Sequence, residues 1–419
     1  NGCENLSSIS VFSGIPNFVN RQIQLGFLSK AMSLVSADMS GWGSFTGDGS
    51  QFMNSLPLVN NVATSISNPN VNFIFDIDSL NPLISLTTAF DGQKDFNQPL
   101  YNWNVSKVRL FNGCFRNCYS FNQDISSWEL LSTGSFTVSL ENMFNTAISF
   151  NQDIFKWNTT NVVSMSGMFQ LTQTTGGEPP VGPMSFNKNI SVWNTDLVSN
   201  ASSMFKNNTF FNQPMTDMFS SGSLQYLDEI FQGATGFNSD VSGWDITGTS
   251  LPSSLFEGAT SFNQSIESWN TSGVLAFVSL FKGATSYNQP TDIDVSACQL
   301  LLSIFEGATS FNQPLAWDTT NALSFQSLFN GATSFDQNVG NFSINSLTSA
   351  ADMFTNSGLT TQNYDEILVL WGKEAASGNA VANVTLSSVP CTYTSLPSVI
   401  EGRAILTGSP YNWNIVDGG

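Results

Sequence analysis

Three aspartates, Asp124, Asp153 and Asp240, recur at similar positions in similar phrases and are the first candidates for chemistry in this chain of 419 residues. Carboxylates lining one face could hold calcium, which prefers oxygen ligands. Two or three acids in a groove could instead cleave a glycosidic bond. The acids of this chain are scattered rather than clustered, which favours solvated surface carboxylates. We therefore predict no catalytic residue, no cofactor and no metal site.

Histidine is absent from the chain, which removes the commonest general base near neutral pH and the commonest transition-metal ligand. Five cysteines are scattered along the sequence, too few for a disulfide scaffold. Cys114 and Cys118 lie four residues apart and lack the paired spacing of a zinc site. A disulfide between them, or simple burial of both thiols, is favoured over a metal.

The composition narrows the classes of partner. Only 10% of the residues are charged, and 31 acids against 12 bases give a net charge of −19. Such a surface repels phosphate backbones, so we expect no nucleic acid as a partner. No apolar run reaches the length of about 18 residues that a membrane-spanning helix needs. No signal peptide is visible in this sequence.

One phrase, EGATSFNQ, occurs at 257–264 and again at 306–313. It belongs to a repeat whose aromatic anchor recurs mostly every 24 to 26 residues, at Phe96, Phe121, Phe150, Phe186, Phe211, Phe237, Phe262, Tyr287, Phe311 and Phe335. A tryptophan follows most anchors, at Trp103, Trp128, Trp157, Trp193, Trp244, Trp269 and Trp317. Two longer steps indicate surface insertions, one of them within 170–185, where Gly and Pro are frequent.

A unit of about 25 residues cannot bury both sides of its own core, so stacked copies must bury each other. We predict a repeat solenoid of the leucine-rich-repeat type, with mostly short parallel β-strands, short helical or 3-10 turns and an α/β C-terminal cap. The predicted divisions are an N-terminal cap with one or two degenerate repeats over 1–74, about ten to eleven repeats over 75–356, and a capping segment over 357–419.

Within each copy, two short extended segments are expected, one like NVVSMSG and one like QPLYNW or QDISSW. The MFxGA piece predicts a tight turn ended by Gly, and the Asn of FNQ is expected at a corner, bonded to the next copy. The aromatic rows should form structural ladders. Their predicted members are Phe96, Phe121, Phe150, Phe186, Phe237, Phe262, Phe311, Trp103, Trp128, Trp157, Trp193, Trp244 and Trp269.

The pattern changes after Phe354. NYDEILVLWGKEAA predicts an amphipathic helix with Asn363 as N-cap and Glu366 at its start. VANVTLSSV reads as a strand, LPSVIEGRAIL as a second short helix and YNWNIV as a final strand. These elements would cover the apolar face of the last copy.

The repeat resembles the BspA-type surface-protein repeat, on the evidence of WNTTNVVSMSGMF at 157–169 joined to GATSFNQ at 258–264. The resemblance covers roughly 75–356, and the closing segments GLTTQNYDEILVLW and NWNIVDGG are similar too. It implies a leucine-rich-repeat-like fold and an extracellular, non-catalytic role in adhesion, surface coating or protein–protein contact. Tyr287 replaces Phe, Asp336 replaces Asn, and Leu or Ile often replaces the Met before the turn Phe.

Several Asn-x-Ser/Thr sequons occur, a number that the Asn, Ser and Thr content would produce by chance. Asn104, Asn158 and Asn270 share one position after Trp and are the better candidates for glycosylation. Asn263 is expected to be buried.

We therefore expect a non-enzymatic surface or structural protein, acting through protein partners that include copies of itself in head-to-tail assembly. The alternatives are a carbohydrate-binding or carbohydrate-active solenoid that uses exposed Trp, and a calcium-dependent adhesin. Burial of the Trp row would remove the main support for the carbohydrate alternative.

Overall fold

The computed structural model describes residues 84–97, 99–101, 105–106, 108–131, 134–172 and 182–419, together with the backbone of two short strands nearer the N-terminus. The rest of the predicted N-terminal cap lies outside the described residues, as do Trp103, Asn104 and most of the Gly- and Pro-rich insertion. The chain divides into two compact units, Asn1–Pro214 and Met215–Gly419.

Short strands and two helices make up the regular structure. The strands are β1 Ser8–Ile9, β2 Ser36–Ala37, β3 Ile84–Ser85, β4 Val108–Leu110, β5 Val138–Ser139, β6 Val162–Ser164, β7 Ala276–Val278, β8 Leu300–Leu302, β9 Thr385–Ser387 and β10 Asn414–Val416. The helices are α1 Thr361–Ala376 and α2 Pro397–Thr407. Every strand pair is parallel. The expected dominance of short parallel strands is confirmed.

Successive repeats pair with one another along the chain. In the first unit β3, β4, β5 and β6 form one sheet in sequence order, and a bridge from Ser164 to Asn200 adds the next repeat. In the second unit Ala276 pairs with Leu300, and further bridges join Leu300 to Ser324 and Ser324 to Ser349. Within each unit, every repeat paired in this way thus contributes one rung to a parallel sheet.

Hydrogen bonding between repeats continues beyond these strands into the MFxGA turn. The N–H groups of Ser254, Phe256 and Gly258 donate to the carbonyls of Val278, Leu280 and Lys282 in the next repeat, at 2.8, 3.0 and 2.7 Å. Ser254 and Gly258 both have left-handed backbone, with φ of 54° and 69°. This conformation turns every second amide toward the neighbouring repeat, so the turn pairs as a strand would.

The second predicted extended segment is not a strand. In QDISSW the chain turns instead, and Trp128 N–H donates to Ile125 O at 3.0 Å. The same turn joins Ile154 to Trp157 and Ile190 to Trp193. A turn of this span places both the aliphatic and the aromatic side chain in the core, where a strand would alternate them.

The C-terminal elements follow the prediction in kind and order, but the helix cap differs. The N-cap of α1 is Thr360, whose Oγ1 accepts from Asn363 N–H, so the prediction of Asn363 as N-cap is wrong. Asn363 lies in the first turn and donates its Nδ2 to Asp336. Helices α1 and α2 meet at Gly372 and Gly402, where a Cβ on Gly372 would lie 2.4 Å from the Gly402 Cα.

The strands of this segment extend the parallel sheet of the second unit. Ala350 bridges to Leu386 in β9, and β10 pairs in parallel with β9. Trp371 of α1 is fully buried and donates its Nε1–H to Phe342 O at 3.0 Å. The segment therefore packs directly on the last repeat.

Candidate functional site

The corner Asn of most repeats bonds to the next repeat. Asn263 Oδ1 accepts from the N–H of Asn288 at 2.9 Å and from Gln289 Nε2 at 3.1 Å. The equivalent two donors of the following repeat, a backbone N–H and a glutamine Nε2, bond in the same way to the side-chain oxygens of Asn97, Asn122, Asn187, Asn238, Asn288 and Asn312. Asn263 is half-buried rather than buried, because its amide lies at the rim of the core. The repeated phrase EGATSFNQ therefore uses its Asn to hold consecutive repeats together.

The phenylalanine anchors stack ring on ring. In the first unit the centroid distances are 5.8 Å for Phe96–Phe121, 5.8 Å for Phe121–Phe150 and 6.0 Å for Phe150–Phe186. In the second unit they are 5.9 Å for Phe237–Phe262, 6.0 Å for Phe262–Tyr287 and 6.1 Å for Tyr287–Phe311. All of these rings are buried, so they build the core and offer nothing to a ligand.

The tryptophan row is buried as well. Trp128, Trp157 and Trp193 stack at 6.5 and 6.2 Å, and Trp244 stacks on Trp269 at 6.2 Å. Each of these indoles donates its Nε1–H to a backbone carbonyl of the preceding repeat. Since none is more than 4% exposed, they present no stacking surface to a sugar.

The two described glycosylation candidates are exposed. Asn158 Oδ1 accepts from both the N–H and the Oγ1–H of Thr160, and Asn270 Oδ1 accepts in the same way from Ser272. These turns follow the Trp of each repeat, and they explain the W-N-x-[ST] pattern through local hydrogen bonding. Modification of Asn158 and Asn270 stays a prediction.

The three aspartates form turns of the same kind. Asp124, Asp153 and Asp240 each accept from the backbone N–H two residues on, at 2.8, 3.2 and 2.8 Å. Backbone hydrogen bonds from Ser126 and Ser242 lower the pKa of Asp124 and of Asp240. Across the described ranges, no group of three or more His, Cys, Asp or Glu residues could hold a metal ion.

Cys114 and Cys118 are free and fully buried, so the candidate disulfide between them is not formed. Cys118 Sγ–H instead donates to the carbonyl of Phe90 in the preceding repeat, 2.9 Å away. Burial raises the pKa of both thiols well above its usual range. A buried thiol of high pKa is a poor nucleophile, so this pair is structural.

The second unit carries a set of exposed leucines, here called the leucine face. It is the first of two surface features that folding of the repeat does not require. We define it as Leu251, Leu275, Leu300 and Leu323, which are between 37% and 58% exposed. Leu275 N–H donates to Ser250 O. Gln299 N–H donates to Leu275 O and Leu323 N–H donates to Gln299 O, both at 2.8 Å, so these residues form one column across successive repeats. Leu300 pairs with Ala276 and Ser324 on the adjoining column. The four side chains therefore stand on consecutive rungs.

A cleft of about 430 Å³ on the first unit is the second such surface. Its lining is formed by Asp153, Phe155, Asn187, Lys188, Asn189, Val192 and Gln213. The Phe155 ring is 40% exposed and Val192 is 67% exposed. Among the residues that the structure describes, Lys188 has no hydrogen-bond or ion-pair partner.

Sequence reasoning missed this cleft, although a signal was present. Lys188 occupies a column that holds Gln in most other repeats, while Phe155 occupies a column that holds Ser126 and Ser191 in the neighbouring repeats. A comparison of the copies with each other would have singled out both residues. Folding alone does not require them, because the other repeats fold without them.

Comparison with known proteins gives a family but no function. A family model described as "Mycoplasma protein of unknown function, DUF285" matches residues 61–178, 133–223, 180–264 and 253–367. Four overlapping matches fit a repeated element. No curated protein and no solved structure matches the chain. Neither described helix is long and apolar enough to cross a membrane.

Proposed function

Because the chain belongs to the DUF285 family, whose members are described as Mycoplasma proteins of unknown function, we propose that it is a non-catalytic extracellular surface or structural protein. It acts through protein–protein contacts in adhesion, in a surface coat or in a filament. The repeated residues support this proposal, since they are used in ladders and turns rather than in a reactive cluster.

The proposed architecture is a leucine-rich-repeat-like solenoid within each unit, of the BspA type, closed by the segment 357–419. Parallel pairing of consecutive repeats supports it, as does the burial of Trp371 against Phe342. In such proteins the common positions build the fold and the variable exposed positions select the partner.

The leucine face is the observation that carries the proposal. Single exposed leucines are ordinary on protein surfaces, whereas contiguous apolar patches mark interaction sites. Leu275 and Leu323 lie in one column with Gln299 between them, and Leu300 lies in the adjoining column, so these exposed leucines fall within three consecutive rungs spaced about 4.8 Å apart. A protein partner with an apolar surface of its own is therefore the expected ligand.

Two measurements test this function. Antibodies against the purified chain should label intact cells of the source organism as strongly as permeabilised ones. Beads coated with the protein should adhere to those cells or to one another. The variant Leu275→Thr/Leu323→Thr should reduce bead adhesion at least tenfold, while its melting temperature should change by no more than a few degrees.

The threonines are chosen because Thr348 occupies the same column one repeat further on. The matched control is Thr348→Val, which adds apolar surface in the same column and should not weaken adhesion. Labelling confined to permeabilised cells would exclude a surface role. Unchanged adhesion of the leucine variant would exclude the leucine face.

Copies of the same chain are the second class of partner that we propose. Strand β10 pairs with β9 alone among the described strands, and Asn414 and Val416 are the residues bonded to that neighbour. Alternation along a parallel strand turns the polar backbone groups of Ile415 away from β9. Ile415→Pro should abolish concentration-dependent association in light scattering, whereas Ile415→Val should preserve it.

A solenoid that binds carbohydrate through its tryptophans and a calcium-dependent adhesin have less support. Burial of the tryptophan row removes the surface on which a Trp-based carbohydrate site would depend. For a calcium-dependent adhesin, melting curves with calcium and with a chelator should differ by many degrees. We expect them to coincide.

A further inference from the structure

We propose that the cleft between Phe155 and Lys188 on the first unit binds an acidic saccharide, a pyranose that carries one carboxylate. This inference goes beyond the proposed function and does not depend on it, because the cleft lies on the first unit and the leucine face lies on the second. It assigns a ligand class to a site that the repeat itself does not explain.

Lys188 is the first part of the site. At its position most other described repeats place a glutamine whose Nε2 donates to the corner Asn of the preceding repeat, at Gln123, Gln152, Gln213, Gln264, Gln289, Gln313 and Gln337, while the repeat of Phe237 has Ser239 there. Lys188 makes no such bond with any described residue, and Asn151 Oδ1 accepts only from Asn187 N–H. The half-buried ammonium is therefore available to pair with an anion in the cleft.

Phe155 and Val192 are the second part. Both are large apolar side chains at exposed positions, and their counterparts in a neighbouring repeat are Ser126 and Ser127. Lys156 lies 5.7 Å from the centre of the Phe155 ring and places a second cation beside it. An exposed ring at the wall of a cleft suits the apolar C–H face of a pyranose.

The polar side chains of the lining match the hydroxyl groups of a sugar. Asp153 uses one carboxylate oxygen for Phe155 N–H, which leaves the other oxygen to accept from a hydroxyl. Asn187 and Asn189 use their side-chain oxygens within the chain, and no described residue is a partner of their Nδ2 groups. The cleft thus offers donors and an acceptor around one cation and one apolar wall.

The charges of the cleft argue against other anions. A phosphate carries about two negative charges near neutral pH and would face Asp153 as well as Lys188. The chain's net charge of −19 disfavours polyanions further. A single carboxylate with hydroxyl groups satisfies both the lysine and the aspartate.

Ligand-observed NMR titration of the whole chain tests the site, with methyl glucuronide as the acidic probe and methyl glucoside as its neutral counterpart. The wild-type chain should bind the glucuronide at least about tenfold more tightly than the glucoside, and added salt should narrow that difference. Lys188→Gln should lower the affinity for the glucuronide to that for the glucoside. Phe155→Ser should weaken both by about tenfold.

Both substitutions restore residues that other repeats carry, so both variants should fold with unchanged melting temperature. Gln264→Lys is the control that places a lysine in the same column without an exposed ring, and it should create no binding site. Absence of glucuronide binding by the wild-type chain would overturn the proposal, and so would unchanged binding by Lys188→Gln. Tighter binding of a peptide with a free C-terminal carboxylate would overturn the saccharide assignment.

Discussion

The carboxylate of Asp336 accepts two hydrogen bonds from Thr360, one from its N–H and one from its Oγ1–H, both at 2.8 Å. Asp336 lies 24 residues after Asn312, and its N–H donates to Asn312 Oδ1. Thr360 lies another 24 residues along the chain. The corner ladder therefore extends one rung beyond the last aromatic anchor. Helix α1 begins directly from that rung, with Thr360 as its N-cap.

Asp336→Ala is expected to destabilise the chain by about 1–2 kcal/mol, because it removes the carboxylate that accepts from Thr360 and Asn363, although Asn363 Nδ2 keeps its bond to the backbone carbonyl of residue 336. Asp336→Asn keeps an oxygen in place and should cost less than about 1 kcal/mol. Urea unfolding of both variants measures the difference. Equal losses would show that the charge of Asp336, and not its position on the ladder, matters.

Spacing alone predicted the repeat and the parallel pairing, because a period of about 25 residues leaves few ways to bury Phe262 and Phe311, and the change of pattern after Phe354 predicted the closing elements. The local capping pattern predicted Asn363 as the N-cap of α1. Thr360 is the N-cap instead, and it is held in place by hydrogen bonds to Asp336, 24 residues earlier, which a local pattern does not include. The cleft was missed for a related reason. Lys188 and Phe155 depart from the repeat, and a period is recognised from the residues that keep it.

Phe305→Ala should destabilise the chain by about 3–5 kcal/mol, as for other buried aromatic truncations. The ring is fully buried and stacks on Phe311 at 3.7 Å and on Phe281 and Phe329 at 5.8 Å each. Chemical denaturation gives the value. Leu323→Ala, at an exposed position nearby, is the control and should cost less than about 1 kcal/mol. A loss below that limit for Phe305→Ala would refute the ladder.

The serines of the turn that have left-handed backbone conformation give a prediction in which a substitution does not lower the free energy of unfolding. Ser303 has a φ of 52°, a conformation that glycine adopts without the strain of about 1 kcal/mol that a Cβ brings. Ser303→Gly should therefore leave stability unchanged or raise it slightly. Ser303→Val should lower it by more than about 1 kcal/mol, since a β-branched side chain resists positive φ. Thermal unfolding of the two variants side by side decides this. A destabilising Ser303→Gly would mean that the serine side chain matters more than its backbone.

Acid should weaken the turns made by Asp294, which follows Ile293, and by Asp318, which follows Trp317. Hydroxyl and backbone hydrogen bonds from Ser296 and Thr320 lower the pKa of Asp294 and of Asp318. A folded pKa below the unfolded value of about 3.9 means that the stabilisation is present above that pH and is lost as the pH falls through the folded pKa. Melting temperature should therefore fall as the pH drops from about 5 to about 2.5.

The variant Asp294→Asn/Asp318→Asn isolates this effect, because Asn158 and Asn270 make the same turn elsewhere without a titrating group. At about pH 6 it should melt within a few degrees of the wild-type chain, and its melting temperature should fall less toward the acid end of the range. Parallel curves for the two proteins would assign the acid sensitivity to other carboxylates.

Thiol chemistry distinguishes buried cysteines from a disulfide. Cys114, Cys118, Cys298 and Cys391 are free and buried, and burial raises the pKa of Cys298 to about 12. A Cys3→Ser variant treated with a chromogenic disulfide reagent at about pH 8 should therefore show no rapid reaction while folded, because the thiolate is the reactive form. In guanidinium without reductant, all four described thiols should react. Reaction of only two would mean that Cys114 and Cys118 are bonded in the purified protein, and Cys118 could not then donate its proton to Phe90 O.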